Sequence, residues 1–147
     1  MIRRLKDSEE LPWALLLEAD PDREMVEGYL SDSQILVYAE TKIIGIIVFQ
    51  ERSEWEILNL SVASDHEGKG IGGKLLEASF QQMRKQAPLK EVLIKTGDLS
   101  SPALHLYRKK KFQQKAIIQD YFVTHYSEPI YENGERLRNQ VILSRKL

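Results

Sequence analysis

Four glycines and two lysines stand together in Glu67-Gly68-Lys69-Gly70-Ile71-Gly72-Gly73-Lys74. Glycine lets backbone approach a ligand closely and take positive φ without steric cost. An apolar run, Ile57 to Val62, leads into this stretch, and amphipathic residues from Lys74 to Met83 lead out. The periodicity places the glycines between a strand and a helix. The first amides of such a helix have no partner inside it, and its dipole favours negative charge. The chemistry on offer is the holding of a phosphate or pyrophosphate.

The spacing satisfies more than one pattern. Gly68, Gly70 and Gly73 fit the dinucleotide fingerprint G-x-G-x-x-G, while Gly68, Gly73 and Lys74 fit most of a nucleotide phosphate loop. In the second pattern Leu75 stands where a hydroxyl should hold magnesium, and it has no oxygen to offer. Gly70 and Gly72 fit a third pattern, Q/R-x-x-G-x-G/A, with Glu67 at its first position. A plain strand-to-helix turn is the remaining alternative.

The flanking elements decide between these. Met1 to Leu5 reads as a strand. Ser8 caps a helix through Leu11, Leu15 and Leu16, and Asp20-Pro21 opens a second with Met25, Val26, Tyr29 and Leu30 at helical spacing. Ile35 to Glu40, Ile43 to Glu51 and Ser53 to Val62 are strands whose short connections force antiparallel neighbours. After the loop, the helix runs to Ala87 and a strand covers Glu91 to Thr96, so residues 55–96 form one right-handed parallel crossover. Ser101-Pro102 opens a helix over Ala103 to Lys111, and Phe112 to Gln119 is a strand. Asp120 to Arg136 reads as a long irregular segment, and Leu137 to Leu147 closes the sheet. A dinucleotide loop should follow the first strand of a parallel series. This one follows an antiparallel meander, Glu91 lies at the start of the next strand, and Asp98 is late for a ribose contact.

Composition narrows the classes. The 147 residues make a single-domain length, residues 1–147. The net charge of −1 supplies no field for DNA or an anionic membrane. With no cysteine there is no disulfide, thiolate zinc site or cysteine nucleophile. Acids at Asp7, Glu9, Glu10 and Glu18 break up any signal-peptide pattern, and no stretch reaches the ~20 apolar residues of a membrane span. The expectation is a cytoplasmic chain without nucleic-acid or membrane partners. His66, His105 and His125 do not pair at ligand spacing, so no metal is expected. Arg108 to Lys111 fall at a helix C-terminus, where cations complement the dipole.

A second stretch, Ala103-Leu104-His105-Leu106-Tyr107-Arg108-Lys109-Lys110-Lys111-Phe112, resembles the A-x-x-L-Y-x-K-x-G-F signature of the GNAT family of N-acetyltransferases, whose pyrophosphate loop is the third pattern above. The order of elements is also similar, and the resemblance covers essentially the whole chain. Asp120-Tyr121-Phe122 and Glu128 to Gly134 look like a small bacterial subgroup, some of whose members carry labels naming indole-3-acetate, a carboxylate that would be an odd acceptor for an amine acetyltransferase. The resemblance implies an α/β fold with a mixed, mostly antiparallel sheet of about seven strands and about four helices. It departs from the family at Glu67, at Ser100 where Asn is common, and at Lys111 where Gly is usual.

What the resemblance implies for the site is specific. Acetyl-CoA is the co-substrate, and acetyl passes directly to a primary amine of a small molecule or peptide. Glu67, Gly68, Lys69, Gly70, Ile71, Gly72 and Gly73 meet the pyrophosphate, Leu60 and Val62 the pantetheine arm, and Ser100 and Tyr107 complete the cofactor contacts. Tyr107 protonates the leaving thiolate; its competing role is packing on Leu104 and Phe112. Glu56 or Glu54 accepts the amine proton through water, unless each is only a solvated strand-end charge. Asn59, Tyr121, His125 and Tyr126 are the acceptor-binding candidates, and a homodimer is common in the family. Glu56 shares strand parity with Leu58, Leu60 and Val62, and Asn59 with Ile57 and Ser61, but a bulge near residue 60 would change this. The competing class is a non-catalytic acyl-CoA or nucleotide-binding sensor module.

Overall fold

The computed structural model describes residues 1–147 apart from Ser100 and the side chain of Ser101. The chain divides into two compact units, Met1–Lys90 with Leu147, and Glu91–Lys146.

In the first unit the strands β1 (Ile2–Arg4), β2 (Gln34–Ala39), β3 (Ile43–Glu51) and β4 (Trp55–Val62) pair antiparallel in that order. β3 is apolar along nearly its whole length because it is covered on both faces. On one face, Val37, Ile46 and Val48 pack with Leu15 and Leu16 of α1 (Trp13–Ala19) and Val26 of α2 (Arg23–Leu30). On the other, α3 (Ile71–Gln86) approaches so closely that a Cβ on Gly45 would lie 3.1 Å from both Ile71 and Leu75. Trp55 is fully buried, and its indole N–H donates to Ala87 O at 3.1 Å, past the end of α3.

In the second unit β5 (Glu91–Gly97), β9 (Gln140–Lys146) and β6 (Gln113–Ile118) pair antiparallel in that spatial order. The unit also holds α4 (Ser101–Lys109), α5 (Tyr121–His125) and a hairpin of β7 (Tyr131–Glu132) and β8 (Glu135–Arg136). The expected α/β class holds. Four sheet strands in one unit and three in the other match the expected strand number, and the described residues form five α-helices where about four were expected.

Three local expectations are corrected. Ser8 is not a cap: α1 begins only after Pro12, because a residue before proline is driven out of helical dihedrals and Leu11 therefore cannot continue a helix into it. Asp20 and Pro21 do not open α2 either. Asp20 closes α1, its carboxylate accepts from Asp22 N at 3.3 Å, and Asp22 is the cap, accepting from Met25 N at 3.2 Å. Residues 120–136 are not irregular throughout: they hold α5 and the β7–β8 hairpin. Asn133 and Gly134 take positive φ of 51° and 80°, the conformation of a two-residue hairpin turn.

Candidate functional site

The glycine loop lies between β4 and α3, after a short 3-10 turn at Ser64–His66. Gly68 and Gly70 have φ of 78° and 77°, which other residues reach only with strain, and a Cβ at either would meet nothing within 4 Å. The requirement there is conformational, not one of space. Gly70 is the N-cap and supplies no side chain to the helix end. The first helical bond is Lys74 N to Gly70 O at 3.1 Å, so the amides of Ile71, Gly72 and Gly73 come before the ladder begins. Glycine at 72 and 73 leaves those amides without side-chain cover. Lys69 and Lys74 are exposed beside them, and so is Glu67, whose carboxylate opposes an anion. A helix of sixteen residues adds its dipole at this end. The local chemistry fits a pyrophosphate.

β4 carries the next group of candidates. Val48 of β3 pairs with Asn59, but the next residue, Phe49, pairs with Ile57. Leu58 is therefore the extra residue of a bulge, which changes the parity read from spacing alone. Leu60 and Val62 pair with Ile47 and Gly45 and face α3. Glu56, Asn59 and Ser61 share the opposite face, under α1 and α2. The bulge thus decides the parity that spacing left open, separating Glu56 from Leu60 and Val62 and grouping it with Asn59.

Glu56 is buried, and its carboxylate accepts from Arg52 Nη1 at 3.1 Å. Arg52 Nε also donates to Gln50 Oε1, and the Gln50 amide reaches Ser33 Oγ at 3.3 Å. Glu54 lies in the turn before β4, where its carbonyl accepts from Arg52 N at 2.8 Å. Asn59 is 4% exposed; its Nδ2 donates to Leu16 O at 3.0 Å and to the Tyr29 hydroxyl at 3.1 Å. Burial pushes the Tyr29 hydroxyl up to about 12. Sequence reasoning passed over Tyr29, Gln50 and Arg52. Tyr29 sits at the spacing of a core residue, and nothing local ties it to a strand thirty residues away.

In the second unit Tyr107 is buried on α4, with its ring edge-on to Phe112 at 6.1 Å. Burial raises its hydroxyl to about 12. The helix ends there: Phe112 N and Lys110 N both donate to Tyr107 O, at 3.0 and 3.1 Å. Lys111 has φ of 73°, the left-handed closing position normally taken by glycine. That is the physical reason for glycine in the signature and the cost of lysine here. Tyr121 and His125 stack at 4.3 Å across α5, and Phe122 contacts Tyr126 at 5.4 Å. Arg138 Nε donates to Asp120 Oδ1 at 3.0 Å, and Asp120 N donates to Asn139 Oδ1 at 3.0 Å; both bonds anchor the start of that helix. Ser100 lies outside the described residues. Among the described residues no three acid or histidine side chains gather as metal ligands, and no helix is long and apolar enough to cross a membrane.

Comparison with known proteins gives consistent matches. The family model of an acetyltransferase (GNAT) domain matches residues 31–114. An uncharacterized N-acetyltransferase of Bacillus subtilis, YvbK, is 33% identical over 132 residues, which is 88% of this chain and 84% of its own length. A GNAT family acetyltransferase from Elizabethkingia anophelis, solved with acetyl-CoA bound, is 31% identical with a TM-score of 0.93, covering 100% of this chain and 97% of that one. An IAA acetyltransferase from Bacillus cereus is 34% identical with a TM-score of 0.92, covering 100% and 99% of the two chains.

Proposed function

Because the chain belongs to the GNAT family of acetyltransferases, we propose that it moves acetyl from acetyl-CoA directly to a primary amine of a small molecule or peptide, in a ternary complex. The observation that carries this is the loop before α3, with left-handed Gly68 and Gly70 leading to the Ile71, Gly72 and Gly73 amides. On this reading those amides hold the pyrophosphate, and the backbone of Leu60 to Val62 runs beside the pantetheine arm. The likeness to acetyltransferases extends over the full length, which supports residues 1–147 as one acetyltransferase domain.

The amine nitrogen attacks the thioester carbon, the carbon–sulfur bond breaks, and coenzyme A leaves as a thiolate, which takes its proton from solvent. The amine must lose a proton, and Glu56 takes it through water. Glu56 is the better candidate than Glu54 because it lies within β4 with its carboxylate held by Arg52, while Glu54 lies in the turn before the strand. Tyr107 serves the leaving sulfur. A thiolate whose thiol has a pKa near ~8.5 cannot draw a proton fully from a phenol held at about 12, so the help is a hydrogen bond to the charge developing on sulfur. In the second unit the Tyr121–His125 stack, with Tyr126, offers an aromatic surface for the apolar part of an acceptor. No metal enters this chemistry. A cytoplasmic location and a homodimer, common in the family, accompany the proposal.

The test is calorimetric titration with acetyl-CoA, with NAD and ATP in parallel, followed by an amine and peptide screen for thiol release. Binding of acetyl-CoA alone together with turnover of one amine is the expected result. Binding without turnover of any acceptor would leave a sensor module, and binding of NAD or ATP alone would sink the reading.

A further inference from the structure

The far edge of β6 has no strand beside it among the described residues, and every residue from Gln113 to Ile118 is exposed. Its neighbour β9 differs. Val141 is 3% exposed, yet Ile117, its direct partner on the same face, is 51% exposed. Burial in this unit's sheet therefore stops at β9 and leaves Ile117 and Ile118 in solvent. The surroundings carry charge of one sign. α4, β6 and β9 contain no aspartate or glutamate, while Arg108, Lys109, Lys111 and Lys115 are exposed. Lys115 is the bulged residue of β6, set between the Gln114–Leu143 and Ala116–Ile142 pairs with no residue of β9 opposite it.

An open edge offers unpaired N–H and C=O groups to an extended chain. Three kinds of occupant differ in how they meet this one. A nucleic acid would answer the cations, but β6 presents isoleucines and no aromatic ring for a base to stack on. A second copy would bring an identical edge, with its own Lys115 and no acid, against this one. A peptide strand with apolar and acidic side chains answers the backbone groups, the isoleucines and the lysines together. We propose that the β6 edge receives an extended, acidic segment of a partner protein as an added strand. Its apolar side chains lie against Ile117 and Ile118, and its carboxylates meet Lys115 and, at the start of the strand, Lys111. This surface is separate from the acetyl-transfer reading and does not rest on it.

The probes are two blocked peptides as long as β6, one alternating glutamate with valine and the other lysine with valine, together with oligothymidylate. In fluorescence anisotropy the glutamate peptide is expected to bind, and the lysine peptide and oligothymidylate to bind about tenfold or more weakly than it does. Binding of the glutamate peptide should weaken about threefold or more between low and high salt. Hydrogen exchange should show new protection of amides on β6 and none on β1, the edge strand of the first unit. Lys115→Glu, an exposed change at a bulge, should invert the preference between the two peptides. Ile117→Ser should weaken both by about threefold or more. Equal binding of the two peptides, protection away from β6, preference for oligothymidylate, or no binding of any probe overturns the proposal. So does self-association of the protein alone that protects the β6 amides, because a second copy then holds the edge.

Discussion

Glu56 and Asn59 are three residues apart on one strand, yet both face α1 and α2. Alternation alone would put them on opposite faces. The bulged Leu58 between them supplies the extra residue that brings an acid and an amide onto one surface.

That arrangement separates the two glutamates. Glu56→Gln is expected to lower kcat about 10²-fold while acetyl-CoA binding stays unchanged. Glu54→Gln, in the turn before β4, should stay within about twofold of wild type. Steady-state thiol release with calorimetric binding checks both, and equal losses in the two variants would refute the assignment.

The loop predicts opposite effects for two neighbouring substitutions. Glu67→Gln removes an exposed negative charge beside the proposed phosphate site and should tighten acetyl-CoA binding about two- to fivefold at low salt, less at high salt. Gly70→Ala meets no atom within 4 Å but must hold φ near 77°, so it should weaken binding and cost about 1–2 kcal/mol of stability. Calorimetry at two ionic strengths reads the first, and thermal melts read the second.

Lys111→Gly relieves a left-handed lysine at the end of α4. The strain removed exceeds the added chain entropy, for a net gain of about 0.5–1 kcal/mol and roughly 2–4 °C in Tm. An unchanged or lower Tm would mean that the lysine's stem packs well enough to offset its backbone.

Tyr107→Phe should reduce kcat about 10²-fold with acetyl-CoA binding retained. Its hydroxyl, at about 12, stays protonated from pH 6 to 10, so the pH profile in that range is set by other groups. Parallel loss of cofactor binding would return Tyr107 to a packing role against Phe112.

The same burial makes stability alkali-sensitive. Tyr29 and Tyr107 both titrate near 12 in the folded chain, above the unfolded value near ~10. The unfolded chain loses those protons first, so the stabilisation is whole below pH 10 and falls as pH rises toward 12. Denaturant midpoints between pH 9 and 12 should decline, and less steeply in Tyr29→Phe. An equal slope in the two proteins would mean that Tyr29 is not the source.

The glycine loop and most strand bounds were legible because their signals are local: glycines between an apolar run and an amphipathic one, and apolar runs separated by short turns. The Asn133-Gly134 hairpin was equally local and was overlooked as irregular. The helix starts were misread because several residues near each boundary have capping chemistry. The choice fell to Pro12, which bars Leu11 from helical dihedrals, and to Asp22, whose carboxylate reaches the Met25 amide.

By itself the sequence determined the order of the elements up to β6, the glycine turn before a long helix, and the tyrosine near the end of α4, since each depends on dihedrals and neighbours a few residues away. Only tertiary structure decided that Glu56 and Asn59 face one way, and that Tyr29 and Leu16 fix the Asn59 amide. A bulge is a mismatch between two strands, and a buried hydrogen bond joins residues thirty or more positions apart. Neither leaves a pattern along one stretch of chain.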